Sequence, residues 1–399
     1  MKYVVLLGDG MSDEPLEELG GLTPLEKAHT PNMDRLAREG MIGLANTVPE
    51  GFHPGSDVAN LSVFGYDPAS CYSGRSPLEA ASMGVELAPE DVAFRLNFVT
   101  ITPMRGALYM EDFSAGHVTT EESRQLIEAI QEYYGGEEFD FYPGVSYRHL
   151  MVWHGGKDKL KATPPHDITH QVINDYLPQG EGAETLMQLM NDTQLLLKTH
   201  PVNVARENAG KPPANSIWLW GQGRAPNMQT LQQMYGLSGA VISAVDLIKG
   251  IGVYAGLEPI EVEGATGYID TNYIGKAEAA LEALKQSDYV YLHVEAPDEA
   301  AHAGKLEDKL KAIEDFDAKV VGTVLEGLKA MGDYRVLVTP DHPTPIAKMT
   351  HTSDPVPFIL YGSGGEFSGQ AESYSEKQAA ASGVTVDPGW KLMGKMLSK

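Results

Sequence analysis

The sequence predicts an α/β fold in which helices cover both faces of a mostly parallel sheet. Short, nearly continuous apolar runs occur at residues 2–7, 288–294, 334–339 and 357–361. Strands that are buried on both faces have this pattern, and such strands belong to parallel sheets. Segments with helical periodicity separate the runs, as in folds built from alternating strands and helices. The predicted core therefore has three layers.

Two helices are well marked by their sequence. Residues 30–40 begin with Thr30, a suitable N-cap, continue with Pro31 at the first helical position, and end at Gly40, which suits a C-terminal cap. Residues 306–328 place apolar side chains at helical spacing over their whole length. This spacing predicts one long amphipathic helix that packs against the sheet.

The middle of the chain has a different character. Residues 104–202 are rich in turns, aromatic residues and charge, and they hold six of the twelve histidines. A strand is predicted at 215–220 and a helix at 241–248, where the chain has returned to the core. We therefore expect residues 104–202 to form a smaller, inserted α+β domain. The core then consists of residues 1–103 and 203–399.

The composition disfavours several classes of partner and excludes some kinds of site. The chain of 399 residues carries 30 basic and 55 acidic residues, which gives a net charge of -25. This balance disfavours nucleic acid and anionic membranes as partners. Cys71, the single cysteine, excludes an internal disulfide and a cysteine-based zinc site, and it favours a reducing compartment. No run reaches the roughly 18–20 apolar residues of a membrane span. We expect a cytoplasmic protein, and its composition does not indicate an oligomeric state.

Carboxylates and imidazoles follow the predicted strands in a regular way. The set consists of Asp9, Asp298, His302, Asp341, His342 and His351. Ligands of open α/β sheets bind at the carboxyl ends of the strands, so one edge could bring all of these side chains together. Oxygen and imidazole ligands without thiolate suit Mn²⁺, Zn²⁺, Co²⁺ or Mg²⁺ and do not choose among them. Two such ions about 3.5–4 Å apart are the arrangement used in two-metal phosphoryl transfer.

Local spacing supports this interpretation. Asp298 and His302 are four residues apart, so a helix that begins near Pro297 would put both side chains on one face. Ser56 follows a Pro-Gly turn and opens a helical segment, where free backbone N–H groups favour phosphate. Beside a metal ion, its hydroxyl would be an activated nucleophile. An isolated Asp or Ser at such a place is usually a turn or cap residue, and it is the ordered combination that favours a site.

The same residues resemble a known superfamily. The order Asp, Ser, Asp-x-x-x-His, Asp-His, His is similar to that of the alkaline phosphatase superfamily, and residues 29–36 resemble its T-P-N-x-D-x-L stretch. More narrowly, the chain resembles the archaeal-type 2,3-bisphosphoglycerate-independent phosphoglycerate mutases nearly end to end. The supporting segments are 8–13, 75–84, 114–117, 147–149, 217–223 and 264–267. The resemblance implies an alkaline-phosphatase-like core and an inserted domain that binds substrate and closes over the site.

The resemblance also implies metal ligands and a nucleophile. Ser56 would be the residue that is phosphorylated. One divalent ion would be held by Asp298, His302 and His351, and the other by Asp9, Ser56, Asp341 and His342. Mn²⁺ is the first expectation for both ions, with Zn²⁺, Co²⁺ and Mg²⁺ as alternatives.

The implied reaction interconverts 3-phosphoglycerate and 2-phosphoglycerate without bisphosphoglycerate as a cofactor. The substrate would be a small phosphorylated anion. The anion-binding candidates in the insert are His117, Arg148 and His149, and those outside it are Arg95, Arg206, Arg224 and Lys249. Arginine is the better candidate type because its planar fork matches phosphate and carboxylate.

Three other functions fit part of the pattern. The first is phosphoryl transfer to another small alcohol such as homoserine, which the resemblance implies because some bacterial relatives of the family are labelled proposed homoserine kinases. A requirement for a nucleotide donor would reveal it. The second is a phosphatase or phosphodiesterase, which would release inorganic phosphate. The third is a catalytically silent metal-binding protein, but the nucleophile and every expected ligand are present in the sequence.

Overall fold

The computed structural model describes residues 1–398. Its strands, in chain order, are β1 (Lys2–Gly8), β2 (Met41–Ala45), β3 (Val92–Met104), β4 (Ala107–Asp112), β5 (Phe139–Val145), β6 (Arg148–Trp153), β7 (Leu160–Lys161), β8 (Gln179–Gly180), β9 (Ser216–Gly223), β10 (Gly239–Ile242), β11 (Glu258–Ile260), β12 (Tyr289–Val294), β13 (Tyr334–Thr339), β14 (Val356–Gly362) and β15 (Thr385–Val386).

The α-helices, in chain order, are α1 (Pro24–Lys27), α2 (Pro31–Glu39), α3 (Ser56–Val63), α4 (Pro68–Cys71), α5 (Ser76–Ser82), α6 (Thr120–Tyr134), α7 (Ala183–Thr199), α8 (Pro201–Asn208), α9 (Leu231–Tyr235), α10 (Asp246–Tyr254), α11 (Tyr273–Leu284), α12 (Ala296–His302), α13 (Leu306–Asp315), α14 (Gly322–Leu328), α15 (Glu376–Ala381) and α16 (Lys391–Leu397). Short 3₁₀ turns lie at Glu17–Leu19, Pro165–Ile168 and Asn174–Tyr176. None of the helices in the described part of the chain has the length and apolarity to cross a membrane.

One compact unit consists of Met1–Tyr72 and the described residues from Asn227 onward. Its sheet has eight strands in the order β11-β10-β12-β1-β13-β14-β2-β15. Every neighbouring pair is parallel except the two that involve β14. The prediction of a mostly parallel sheet is therefore confirmed. Leu7 of β1 is in register with His293 of β12 and with Thr339 of β13, so these three strands end at the same edge.

Helices cover both faces of this sheet. On one face, side chains such as Leu6 and Val338 share a hydrophobic core with helices α2, α11, α13 and α14. On the other face, Phe64 at the end of α3 stacks on Tyr291 of β12, with ring centroids 3.8 Å apart. Buried apolar area of this kind contributes about 25 cal/mol per Å², so the packing of helices on both faces of the sheet is the main source of stability. The predicted three-layer α/β class is confirmed.

The start of α2 is stabilised by a distant residue. Thr30 occupies the predicted N-cap position, but its side chain makes no capping hydrogen bond. Asp317 instead accepts hydrogen bonds from the backbone N–H groups of Asn32 at 3.2 Å and Met33 at 2.7 Å. Asp317 lies in a π-helical turn, Phe316–Val321, between α13 and α14. The predicted long helix over 306–328 is thus present, and its widened turn supplies the capping carboxylate.

The second compact unit is Ser73–Pro226. Strands β4, β3, β6 and β5 form an antiparallel sheet that β9 extends by pairing with β3. Helices α6 and α7 bury their apolar faces, including Leu126 and Leu186, in the core of this unit. The unit extends beyond the predicted limits of 104 and 202, because β3 and β9 on either side of that segment belong to the same sheet.

The predicted helix at 241–248 is partly wrong. Its first two residues end strand β10, and helix α10 begins only at Asp246. Strand β10 is short and lies buried between two parallel neighbours. The periodicity of such a short apolar run does not distinguish a buried strand from a buried helix.

Candidate active site

The carboxyl edge of the large sheet collects acidic and imidazole side chains. Asp9 follows β1, Asp341 and His342 follow β13, and Asp298 and His302 lie on α12 directly after β12. Because β1 pairs in parallel with both β12 and β13, these loops leave the sheet side by side. The predicted helix near Pro297 is present and puts Asp298 and His302 on one face, with Oδ2 and Nε2 3.2 Å apart.

Asp298, His302 and His351 lie close together. The Nε2 atoms of His302 and His351 are 2.8 Å apart, and His351 Nε2 is 3.5 Å from Asp298 Oδ1. Two nitrogen atoms at this distance have at most one hydrogen between them, and a bound cation would take its place. The three residues that were predicted to share one ion are thus brought together.

Backbone carbonyls fix the orientation of these two imidazole rings. His302 Nδ1 is 3.0 Å from the carbonyl oxygen of Met349, and His351 Nδ1 is 3.1 Å from that of Pro54. A carbonyl oxygen only accepts, so each Nδ1 donates and each Nε2 faces the acidic cluster. Histidine ligands of metal ions are usually oriented in this way by a partner on their other nitrogen.

The second predicted group also comes together. His342 Nε2 is 3.1 Å from Ser56 Oγ, 3.2 Å from Asp341 Oδ2 and 3.6 Å from Asp9 Oδ1. The ligand atoms of Asp9, Asp341 and His342 all lie within 4.8 Å of one another. His342 also stacks on His351, with ring centroids 3.8 Å apart, and so connects the two groups.

The electrostatics of the cluster favour a bound cation. Asp9 is 1% exposed, and its Oδ1 has no hydrogen-bond partner among residues 1–398. Burial, followed by the charges of Asp341, Asp298 and Glu295, raises the pKa of Asp9 well above its ordinary value. Burial opposes ionisation of Asp298 as well, but hydrogen bonds from His302 and His351 hold its pKa well below the ordinary range. Buried carboxylates that repel one another, with an oxygen left over, are suited to divalent ions.

Ser56 is held at the start of α3, as predicted. Asn60, one turn later, donates hydrogen bonds from its side-chain amide to Ser56 O and to Asp341 Oδ2, both at 2.8 Å. Tyr291 in turn donates to Asn60 Oδ1 at 2.6 Å. A buried amide therefore joins the serine backbone to a carboxylate of the cluster.

Comparisons with known proteins agree with this geometry. A family model described as 2,3-bisphosphoglycerate-independent phosphoglycerate mutase matches residues 37–203. A Geobacter sulfurreducens protein described as a probable 2,3-bisphosphoglycerate-independent phosphoglycerate mutase is 64% identical over 400 residues, covering 100% of both chains. The chain belongs to this family.

Further comparisons extend the similarity. A Methanosarcina acetivorans mutase is 57% identical over 365 residues, which is 90% of each chain. A solved Pyrococcus horikoshii structure is 32% identical with a TM-score of 0.83, and covers 99% of this chain and 96% of its own. The cofactor-independent phosphoglycerate mutase from Thermoplasma acidophilum is 25% identical with a TM-score of 0.72, and covers 100% and 99%.

Two of the seven predicted anion-binding residues already bind other groups of the protein. Arg206 is 3% exposed and donates to Glu122 at 2.5 Å, to Ala115 O at 2.6 Å and to Pro212 O at 3.0 Å. Its guanidinium therefore ties helices of the Ser73–Pro226 unit together and offers little surface to a ligand. Lys249, in the other unit, is 8% exposed, and its ammonium lies 2.6 Å from a carboxylate oxygen of Glu261.

Two further candidates also have partners. Arg224 donates to Gly156 O at 2.8 Å and lies 3.4 Å from Asp158, so it would have to exchange partners to bind substrate. His149 is buried, and burial lowers its pKa to about 3. Its Nδ1 accepts a hydrogen bond from the N–H of Gly144 at 3.0 Å, which fits a neutral ring.

The remaining three candidates occupy one face of the smaller unit. Arg95 lies over the Trp220 ring at 4.2 Å, and Arg148 over the Tyr147 ring at 5.6 Å. His117 is exposed and also packs edge-on against Tyr147. Burial lowers the pKa of Arg95, Glu79 opposes this, and the positive charges of Arg75 and Arg148 lower it further. Three arginines therefore lie within electrostatic range of one another in a strongly acidic chain.

Several residues around the site were missed from the sequence. They are Asn60, His293, Glu295 and Thr344. Thr344 donates to Asp298 Oδ1 at 2.5 Å, and its Oγ1 lies 3.2 Å from His342 Nδ1. A histidine inside an otherwise apolar strand, His293, was the clearest available indication, because an imidazole that is 0% exposed needs polar partners.

Proposed function

We propose that this chain interconverts 3-phosphoglycerate and 2-phosphoglycerate without bisphosphoglycerate, through a phosphorylated Ser56. The observation that carries the proposal is the position of Ser56 Oγ, 3.1 Å from His342 Nε2 at the start of α3 and beside a buried acidic cluster. A nucleophile, a helix start that attracts phosphate and a cation site then coincide. Membership of the mutase family supports the same reaction.

We assign two divalent ions to the cluster, with Mn²⁺ as the first candidate. One would be held by Asp298, His302 and His351, and the other by Asp9, Ser56, Asp341 and His342. The lone oxygen of Asp9 and the carbonyl-oriented rings of His302 and His351 support this assignment. When bound, such ions lower the pKa of a serine hydroxyl and offset the negative charge of phosphate oxygens.

The proposed reaction has two balanced halves. Ser56 Oγ forms a bond to the phosphorus of one isomer, the bond from phosphorus to the glycerate oxygen breaks, and the serine proton ends on that oxygen. The other hydroxyl of the retained glycerate then attacks the phosphoserine, the Oγ–P bond breaks, and the proton of that hydroxyl returns to Ser56. No donor or acceptor is consumed, which agrees with a mutase that needs no bisphosphoglycerate.

We further propose that the arginine face of the smaller unit binds the anionic substrate. Arg95, Arg148 and His117 are the predicted candidates on this face, and Arg75 joins them. Arg95 and Arg75 each lie 3.1 Å from a carboxylate oxygen of Glu79, so both would exchange that partner to bind substrate. Arginine held flat against an aromatic ring keeps its edge free for a bidentate bond to carboxylate or phosphate. Water must be kept from phosphoserine, or the enzyme would act as a phosphatase.

The test measures conversion of 3-phosphoglycerate to 2-phosphoglycerate with added Mn²⁺ and no bisphosphoglycerate. The product is detected by coupling the reaction to enolase. Ser56→Ala and a metal-stripped sample serve as controls. We expect activity in the wild type and its loss in both controls, with a phosphate group on Ser56 detected by mass spectrometry after rapid quenching.

Three outcomes would contradict the proposal. No conversion by folded, metal-loaded wild type would exclude a mutase. Phosphorylation of homoserine that requires a nucleotide would indicate the alternative phosphotransferase. Stoichiometric release of inorganic phosphate would indicate a phosphatase.

A further inference from the structure

A third group of potential ligands lies beside the two groups already assigned. Asp9, His293 and Glu295 have ligand atoms within 4.8 Å of one another. Asp9 thus belongs to two such groups, one with Asp341 and His342 and one with His293 and Glu295. Distance alone would allow a metal ion in either group, so the hydrogen bonds of His293 decide what the second group does.

His293 lies in a continuous chain of hydrogen bonds across three strand ends. Ser243 directly follows β10, His293 is in β12, and Asp9 follows β1, which are neighbouring parallel strands. Ser243 Oγ is 3.0 Å from His293 Nδ1, and His293 Nε2 is 2.8 Å from Asp9 Oδ2. The three residues are at most 3% exposed, so water does not replace these bonds.

The donors and acceptors in this chain can be assigned. As a ligand of a cation Asp9 is ionised and only accepts, so Nε2 of His293 then carries the hydrogen that bonds to it. Nδ1 of the neutral ring then accepts, and Ser243 must donate to it. The remaining capacity of Ser243 Oγ is used by the N–H of Val245, which donates to it at 3.0 Å. This one arrangement satisfies Ser243 Oγ, both ring nitrogens of His293 and Oδ2 of Asp9.

The two oxygens of Asp9 are therefore in different situations. Oδ2 is held by His293, whereas Oδ1 has no partner in the described part of the chain and lies 3.6 Å from His342 Nε2. A carboxylate fixed through one oxygen presents the other in a single direction. Partners of this kind orient the ligands of metal ions and tune their affinity.

The ammonium group of a buried lysine lies beside the third group. Lys276, which is 0% exposed, donates from its ammonium to the backbone carbonyl of His293 at 3.1 Å. A metal ion bound by Asp9, His293 and Glu295 would have to displace the Nε2 hydrogen and tolerate this neighbouring positive charge. Both requirements oppose a third ion.

We propose that His293, held by Ser243, is a positioning residue that fixes Asp9 through Oδ2 and leaves Oδ1 for a divalent cation. The group of Asp9, His293 and Glu295 is then a support for the metal centre and not a metal site. This inference rests on the two-cation site of the proposed function and names residues that direct one of its ligands.

The experiment titrates Mn²⁺ into metal-stripped protein and follows free Mn²⁺ by electron paramagnetic resonance. The variants are His293→Leu, which removes the donor, and His293→Gln, whose amide can still donate to Asp9. We expect two ions per wild-type chain, a loss of affinity of about 10- to 100-fold at one of the two sites in His293→Leu, and recovery of most of that loss in His293→Gln. Tyr289→Phe, a buried change in the same strand, is the matched control and should bind like the wild type.

Three results would overturn the proposal. A third Mn²⁺ in the wild type that disappears in His293→Leu would make the group a metal site. Equal losses in the Leu and Gln variants would show that shape, and not a hydrogen-bond donor, is what matters. Wild-type affinity at both sites in His293→Leu would show that Asp9 needs no positioning.

A second variant guards against misfolding of His293→Leu. Ser243→Ala keeps the imidazole and removes the donor to Nδ1 together with the acceptor for the Val245 N–H, so it should weaken the same Mn²⁺ site to a smaller extent. Unchanged affinity in Ser243→Ala would contradict the hydrogen-bond chain. Because Mn²⁺ binding is measured without substrate, a wild type that binds two ions but lacks mutase activity would sink the proposed function alone.

Discussion

Lys309→Met should strongly destabilise the larger unit. The Lys309 ammonium lies 2.7 Å from Asp13 Oδ2, and both side chains are 0% exposed. It also donates to Thr344 O at 2.9 Å and lies 3.4 Å from Ser12 O. Lys309 therefore joins the loop after Asp9 to the loop after His342, and its removal would leave a carboxylate buried without its cation.

The size of the effect follows from that burial. Removing one partner of a buried ion pair typically costs about 3–5 kcal/mol, because the other charge stays out of water. A unit of this size loses about 2–4 °C of melting temperature per kcal/mol, so we expect a decrease of roughly 6–20 °C. Removing both charges, as in Asp13→Leu with Lys309→Met, should recover part of the loss because no unpaired charge is then left.

Guanidinium denaturation gives the free energy of unfolding and thermal denaturation gives the melting temperature. Both are done on metal-stripped protein, since bound ions would add their own stabilisation. Lys311→Met is the matched control on the same helix. Its ammonium pairs with Asp315 at 2.8 Å, but the lysine side chain is 60% exposed. Such surface pairs are worth at most about 1 kcal/mol. A loss in Lys309→Met no larger than in Lys311→Met, or a double variant less stable than the single one, would refute the reasoning.

Three further predictions concern the smaller unit. Burial lowers the pKa of His149 to about 3 from an ordinary 6.5, so between these pH values the unfolded chain binds a proton that the folded chain does not. The free energy of unfolding should therefore rise with pH over this range. His149→Gln should flatten that part of a profile of stability against pH. The hydrogen bond to Asp140, and after it that to Asp91, raises the pKa of His154, although burial opposes this shift. The stabilisation from His154 is therefore complete below pH 6.5 and is lost as the pH rises through the pKa of the folded protein. His154→Gln should abolish that loss in the same denaturation profile. Arg206→Met should lower the free energy of unfolding by about 3 kcal/mol and leave KM for phosphoglycerate unchanged in the enolase-coupled assay, whereas a raised KM with intact stability would return Arg206 to substrate binding.

The parts of the fold that could be predicted are those with a local signature. Strand β13 and helix α2 were predicted to within a residue or two, because buried runs and Pro or Gly boundaries are written in neighbouring residues. Asp298 and His302 could be paired for the same reason, since four residues of helix bring them together. The order of carboxylates after strands then predicted the whole cluster at one edge.

The parts that could not be predicted depend on distant partners. Asp317 caps α2 from 284 positions away, and no local pattern marks it as a cap. Arg206 has the residue type of an anion binder, and only the fold shows that Glu122 occupies it. The smaller unit reaches beyond residues 104 and 202 because β3 pairs with β9, and that pairing spans more than a hundred residues.

The arrangement of the large sheet sets an order of events during synthesis. Strand β1 emerges first from the ribosome but pairs only with β12 and β13, which end at Val294 and Thr339. The Ser73–Pro226 unit, by contrast, is continuous in sequence and can fold as soon as it has emerged. At about 5–20 residues per second, the first strand waits roughly 6–23 s longer than that unit. We expect ribosome-bound chains, stalled after Pro226 has left the ribosome and before Thr339 has, to yield a protease-resistant fragment from the middle of the chain while the N-terminal segment is still digested.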